Sequence, residues 1–459
     1  MDVDESYGGF GRDVKQGREE SAMDRLPTEL LNEIFSWSMP VIPSFRAIDG
    51  PLLLTAVCGR WRECALSQSD LWDTIYLPSP LDGISAGVVQ LCKLWLERSR
   101  NRPLSIDFHL SSDYQPWKIS NKHIQDVDKI VKLLVPHAYR ISKLLRISPR
   151  FLLGDLLLEN MTVLDDLFLC DTADEWNGRV HVSHGSLKVP DTLRCLSLRQ
   201  TFFDLKAFSS FNRLAHLDLW QLQGEGSMSI GSCLQVLRRM PWLESCTMDV
   251  AQGDCAIDLM GTEIVMQNLS FLFISWDWLV DVGPILDAVS TPVLRRLGLR
   301  GPPPSAQEWP HLSRFIRRCK PQLTQLSLKE IGFTDIHLLD CLKHLPTLTN
   351  LSISHCSVDT AFIRTLRLDG NLPLRSNVLP YLEFLSLEAC DNFDVGDLAV
   401  MLNSRGKGVP SYAQKLRGIR LSLCRRIMEA RRVELENSGV ENVIIKVAKP
   451  TSRATPYTL

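Results

Sequence analysis

Apolar positions follow one period near the start of the chain and another through most of the rest. From Arg25 to Ser36, Leu26, Leu30, Leu31, Ile34 and Phe35 recur at three- and four-residue steps, which predicts a helix with one apolar face. Pro27 and Thr28 suit its first positions, and Glu29 complements the positive end of its dipole. A break rich in Pro, Gly and Ser covers 39–51. From Pro51 the helical step resumes with Leu53, Leu54, Val57, Cys58 and Trp61, and the stretch closes at Leu71-Trp72. About fifty residues of short helices cannot bury this much apolar surface unaided, so a partner is expected.

Downstream the period changes to Leu-x-x-Leu-x-Leu, with other apolar residues allowed. Copies begin at Leu164, Leu193, Leu214, Leu243, Leu269, Leu294, Leu323, Leu348, Leu382 and Leu416, at intervals of 21 to 34 residues. Repeats of about 20–29 residues with this core are leucine-rich repeats, and insertions stretch the last two steps. Three copies run on to Cys356, Cys390 and Cys424. Each Leu-x-Leu reads as a strand with its leucines on the core face and the intervening residue outside. The remainder of each unit returns on the other side, often as a helix, with suitable spacing at 309–319 and 336–345. Segments 88–96 and 124–134 read as helices and 103–108 and 141–147 as extended, two degenerate units that start the array near residue 85. A helix over 426–437 and a strand over 443–447 end it. The fold class expected is an α/β solenoid, a leucine-rich-repeat horseshoe with a parallel sheet lined by helices, preceded by a small all-α domain.

Composition adds exclusions. Lys plus Arg is 51 and Asp plus Glu 53, a formal net charge of −2, so bulk electrostatics gives no support for a nucleic-acid partner. At 45% hydrophobic and 23% charged residues, the chain can build a large core. No apolar stretch is long enough for a membrane span, and the acidic start is unlike a secretory signal or transit peptide. The 13 cysteines never form Cys-x-x-Cys, which favours small buried residues in a reducing compartment, cytoplasmic or nuclear. On the same ground the glycosylation triplets at Asn160, Asn268 and Asn350 read as coincidence.

The early segment Leu26-Pro-x-Glu-Leu-Leu-x-Glu-Ile-Phe35, then Pro51-Leu-Leu-Leu-x-x-Val-Cys-x-x-Trp-Arg-x-x-Ala-Leu66 and Leu71-Trp72, resembles an F-box. With a variable spacer and degenerate leucine-rich repeats behind it, the arrangement is similar to the large F-box families of mushroom-forming fungi. The resemblance covers about 23–77 at motif level and the rest as architecture; it departs at Ser69, where the family commonly has Pro. Together with the composition and the repeat spacing, it gives the domains expected: 1–22 (disordered leader), 23–80 (F-box), 81–150 (linker helices and degenerate first repeats), 151–447 (leucine-rich repeats) and 448–459 (flexible tail). It further implies that the F-box docks a Skp-type adaptor of a cullin–RING ubiquitin ligase while the repeats hold a protein substrate, with the chemistry done by other subunits. Leu26, Pro27, Leu30, Leu31, Ile34 and Phe35 would make the first contact. Val57, Cys58 and Trp61 would divide between the adaptor and the domain's own core. Competing readings are a helical cap that packs its stripe on the array, a repeat scaffold acting outside any ligase, and a small-GTPase regulator using Arg300.

Strand register nominates a substrate surface. Outward positions are mostly small or polar, so Trp220, Phe271 and Phe273 stand out as an anchor site, with Arg296 and Arg300 one strand away for an acidic or phosphorylated group. Gly298 beside Phe273 is expected to leave room for an inserted side chain. A register slip by one residue would invert all these positions. Catalytic and metal chemistry is not expected. His181 and His184 lack ligand partners at metal spacing, and His355-Cys356 fills a repeat position. The glycine-rich stretch 224–231 fits no phosphate loop, and Pro302-Pro-Pro304 reads as a stiff turn. Arg314, Arg317, Arg318 and Lys320 read as a solvated face. No cofactor, nucleic-acid or membrane partner is expected.

Overall fold

The computed structural model describes residues 25–40, 45, 48–77, 86–108, 121–148, 152, 156, 158–170, 189–199, 211–220, 228–252, 263–277, 280–301, 309–331, 335–390, 392–424, 433 and 435–446. The leader, the tail, His181, His184, Pro302-Pro-Pro304, the first half of the glycine-rich stretch and most of the 426–437 helix lie outside the described residues. The chain divides into two compact units, 1–76 with 85–102, and 77–84 with 103–459.

The first unit holds α1 (Thr28–Ser38), α2 (Gly50–Val57), α3 (Gly59–Ser67), a 3-10 turn (Ser69–Trp72), β1 (Thr74–Leu77) and α4 (Ala86–Arg98). The helical stretch expected from Pro51 to Leu66 is broken at Cys58, which is extended (φ −155, ψ 172) and caps α3 by accepting the Trp61 N–H at 3.4 Å. Leu31 and Phe35 are fully buried, and Phe35 meets the edge of Trp61 at 5.0 Å between centroids. Gln68 Nε2 donates to Asn32 O at 3.0 Å and to Ser36 Oγ at 2.8 Å, while Ser36 Oγ donates to Asp70 Oδ2 at 3.1 Å. These bonds hold the turn at Ser69 to α1. Trp72 is buried with its Nε1 on Ala65 O at 2.8 Å, meets Trp95 of α4 edge-on at 4.7 Å, and lies under the Arg98 guanidinium at 4.3 Å. Through this contact α4, expected within a first degenerate repeat, belongs to the helical unit.

The second unit is a parallel sheet flanked by helices, an α/β solenoid-like arrangement. Its elements are β2 (Leu104–Phe108), α5 (Asn121–Leu134), β3 (Ile141–Ile147), β4 (Asp166–Cys170), β5 (Cys195–Arg199), β6 (His216–Trp220), β7 (Met228–Ser229), α6 (Ile230–Arg239), β8 (Ser245–Gln252), β9 (Ile264–Val265), β10 (Phe271–Trp276), α7 (Gly283–Ala288), β11 (Val289–Ser290), β12 (Arg296–Arg300), α8 (His311–Cys319), β13 (Gln325–Lys329), α9 (Asp335–Lys343), β14 (Asn350–Ser354), α10 (Thr360–Thr365), β15 (Phe384–Glu388), α11 (Val395–Arg405), β16 (Gly418–Ser422) and β17 (Asn442–Lys446). The strands stack in chain order, β2-β3-β4-β5-β6-β8-β10-β12-β13-β14-β15-β16-β17. All ten leucines that open a copy of the repeat are buried, as are both apolar positions of each strand from β12 to β16. Strand register is uniform there: Leu297, Leu326, Leu351, Leu385 and Ile419 form one row, and Leu299, Leu328, Ile353, Leu387 and Leu421 the next.

After each of β13 to β16 one residue turns left-handed: Glu330 (φ 64), His355 (φ 52), Ala389 (φ 49) and Leu423 (φ 57). Its N–H continues the ladder to the next strand at 2.8 to 3.0 Å. Cys356, Cys390 and Cys424 follow directly, and their thiols donate to the carbonyls of Ser354, Glu388 and Ser422 at 3.2, 3.4 and 3.4 Å. Burial pushes the Cys356 thiol up to about 11 and Cys390 up to about 12. The cysteine slot of the repeat is thus a buried backbone cap.

The long interval from Leu348 to Leu382 is closed by a buried arginine. Arg405 donates to the carbonyls of Leu366 (2.6 Å), Leu379 (2.9 Å) and Val378 (2.8 Å), tying both ends of the inserted segment to α11. Burial pushes its pKa down to about 9. Two stability outcomes follow. Leu328→Ala is expected to cost about 2–5 kcal/mol in urea unfolding, because a cavity opens between fixed strands. Arg405→Ala leaves three carbonyls unpaired and is expected to cost about 3 kcal/mol or more, with Arg405→Lys recovering only part, since one ammonium cannot span all three.

Candidate functional site

Two surfaces, one on each unit, carry the residues singled out from the sequence. On α1 the apolar residues split between two faces. Leu31 and Phe35 point into the unit's own core, which moves both from the expected contact face to its support. Leu30 is 47% exposed, Ile34 41% and Trp37 84%, on successive turns of one side; α2 adds Leu53 and Val57 at 45% and 53%. Leu26 is half-buried and Pro27 exposed at the start of the helix. The Leu26 carbonyl accepts from Arg60 Nη2, which fixes the entry to α1 on α3. Cys58 is exposed and Trp61 half-buried against Phe35. Each exposed aliphatic side chain, if covered, contributes about 1.5–3 kcal/mol. The sequence reading passed over Trp37, although its position seven residues beyond Leu30 is the signal for it.

The second surface is the open face of the sheet. From β4 to β16 the first, third and fifth residues of each five-residue strand point outward, in the register expected from the leucines. A groove of about 680 Å³ runs across β10 to β17, walled by Phe271, Phe273, Arg296, Phe384, Arg420 and Ile444. Gln325, Ser327, Asn350, Ser352 and Ser386 form its floor. The Arg296 guanidinium lies 4.8 Å over the Phe271 ring. Phe271, Phe273 and Arg296 are therefore brought together. Trp220 stands outside the groove but in ring contact with Phe273, 5.8 Å between centroids. Arg300 is in the fifth-position row between Ser275 and Lys329, off the groove wall. The space expected at Gly298 is filled: a Cβ there would lie 2.3 Å from Phe273 Cδ2, so the glycine exists to let that ring lie down. Gly418 and Arg420 follow from applying the same register to Leu416, and Ile444 is the partner of Arg420 on β17; the outward positions singled out from the sequence stop short of both strands.

Toward β4 and β6 the same face is mixed in charge, with Asp166 and Asp218 beside Lys143, Arg199 and His216. Burial holds the carboxyl of Asp218 above its ordinary range, partly offset by Arg199. Burial likewise raises Asp166, against the opposing pull of Lys143 and His216. Among the described residues no three His, Cys, Asp or Glu side chains converge as metal ligands, and no helix is long and apolar enough to cross a membrane. No protein-family model matches the sequence, and no curated protein is significantly similar to it.

The raised carboxyl of Asp218 has a pH signature. Its folded pKa lies above the ordinary 3.8, so the ionised form is disfavoured by folding. Stability therefore falls as pH rises through that window, and the cost persists at neutrality. Asp218→Asn is expected to raise the melting temperature near pH 7 and to leave it unchanged near about pH 3, where both states of the wild type are protonated. Thermal unfolding of the two proteins at both pH values is the check.

Proposed function

We propose that this chain is the substrate-recognition subunit of a Skp–cullin–F-box type ubiquitin ligase. In this reading the first unit is an F-box that docks a Skp-type adaptor, and the second is a leucine-rich-repeat horseshoe whose inner wall holds a protein substrate for ubiquitylation. One observation carries it: α1 keeps Leu31 and Phe35 for its own core while leaving Leu30, Ile34 and Trp37 in solvent on consecutive turns. A helix that is apolar on two sides is partnered on two sides. The motif residues Leu26, Trp61 and Leu71-Trp72 support the same reading, since each ties together the small unit that presents α1. The repeats supply a separate outward face of polar residues with a few aromatic and arginine side chains, as a substrate surface needs.

The discriminating variant is Leu30→Asp with Ile34→Asp. Both side chains are exposed, so thermal unfolding of the variant is expected to match the wild type. Removing two covered aliphatics is expected to weaken adaptor binding by about a hundredfold or more. Affinity purification is expected to recover adaptor and cullin with the wild type and neither with the variant; equal recovery from both defeats the proposal. Adaptor recovered without cullin or ubiquitin transfer favours the scaffold reading instead.

A further inference from the structure

We propose that the groove over β12 to β16 recognises an extended acidic peptide segment of about six residues with an apolar side chain near each end. This rests on the reading of the open face as the substrate-holding surface, and it names the class of substrate.

Two aromatic plates mark the ends. Phe273 and Gly298 are register partners, as are Phe384 and Gly418. In each pair the ring lies on the strand of the glycine: a Cβ at Gly298 would be 2.3 Å from Phe273 Cδ2, and one at Gly418 would be 3.0 Å from Phe384 Cδ1. One ring face is thus fixed by the sheet and the other is left to the groove, with Phe384 41% exposed. The glycines lie on β12 and β16, four strand spacings apart, or about 19 Å. Extended chain rises about 3.3 Å per residue, so about six residues reach from plate to plate.

While Lys329 and Glu388 stand in the fifth row outside the groove's lining, the polar side chains that β13, β14 and β15 present to the groove between the plates are Gln325, Ser327, Asn350, Ser352 and Ser386. Every one is both donor and acceptor and none is charged, which suits the alternating N–H and C=O groups of a peptide laid across the strands. Charge sets the side chains of that peptide. The charged residues lining the groove are Arg296 and Arg420, one toward each end, and among the described residues no carboxylate pairs with either. The Arg296 guanidinium lies over the Phe271 ring, and its N–H groups can pair with a carboxylate. A nucleic acid is disfavoured within the groove itself, because two arginines are too few for a phosphate track.

The test is panning of a random heptapeptide phage library on the full chain, followed by anisotropy titration of the selected peptides. Asp and Glu are expected to be enriched between apolar residues five or six positions apart. Arg296→Glu with Arg420→Glu, both exposed substitutions, is expected to weaken binding about a hundredfold, and the double Lys variant less, because charge survives while the paired donors are lost. Selection without acidic enrichment, no enrichment at all, equal affinity of the Glu variant with unchanged melting, or displacement of the peptide by an equally charged single-stranded DNA overturns the proposal. Adaptor recovery from the same preparations separates this from the ligase reading. Lost acidic preference with intact adaptor recovery refutes the groove alone; intact peptide binding with no adaptor refutes the ligase alone.

Discussion

A strand that offers two leucines to one side has no core of its own, and the second unit is organised by that constraint. Leu326 and Leu328 are closed only because the rows of β12 and β14 stand beside them in register. Each repeat is therefore stabilised by its neighbours, and the pairing leaves no freedom to slip: a one-residue shift would put Ser327 in the core and Leu328 in solvent. Where the repeat is lengthened, the extra chain must be braced separately. Arg405 does so for the segment before Leu382. The insertion that follows carries Tyr412, whose one hydroxyl proton is shared between the carbonyls of Asp369 and Leu372, at 2.9 and 2.8 Å. The two insertions support one another, so the long intervals do not interrupt the ladder.

The same register that buries the leucines decides which outward side chains meet. Because strands pair residue for residue, a large side chain on one strand can lie down only where the next carries nothing at that height. Phe273 beside Gly298 and Phe384 beside Gly418 meet that condition. In the fifth row, away from the groove, polar partners instead satisfy each other, as where Ser354 Oγ donates to Glu388 Oε2 at 3.0 Å. The groove is thus the part of the open face whose rings are held by the sheet.

Most of the repeat architecture was legible because the leucine spacing repeats many times, and a repeated signal fixes register as well as strand identity. Features that occur once were less so. Periodicity placed α1 correctly, yet Leu26, Leu30, Leu31, Ile34 and Phe35 span too wide an arc for a single contact, and only packing shows that Leu31 and Phe35 face inward. The break at Cys58 depends on a thiol acting as a cap, an unusual choice for that role. The left-handed residues after the strands went unmarked because Glu330, His355, Ala389 and Leu423 stand where glycine is the usual signal. Gly298 was located correctly but read as a void, since a sequence does not reveal which neighbour fills the space a missing side chain leaves.

The two surfaces are suited to different occupants for a physical reason. On α1, Leu30, Ile34 and Trp37 offer no hydrogen-bonding pattern to match beyond the indole N–H; their free energy comes from dehydration, which another apolar helical face satisfies over several turns. The groove is the reverse. Its serines, Gln325 and Asn350 lose water on binding and must be repaid bond for bond, which an exposed main chain can do and a folded apolar patch cannot. An exposed Trp37 at 84% is, in addition, a solubility liability for an isolated protein, whereas the hydrated groove is not. Under the proposed function, the helical face would serve a lasting assembly and the groove a ligand that comes and goes.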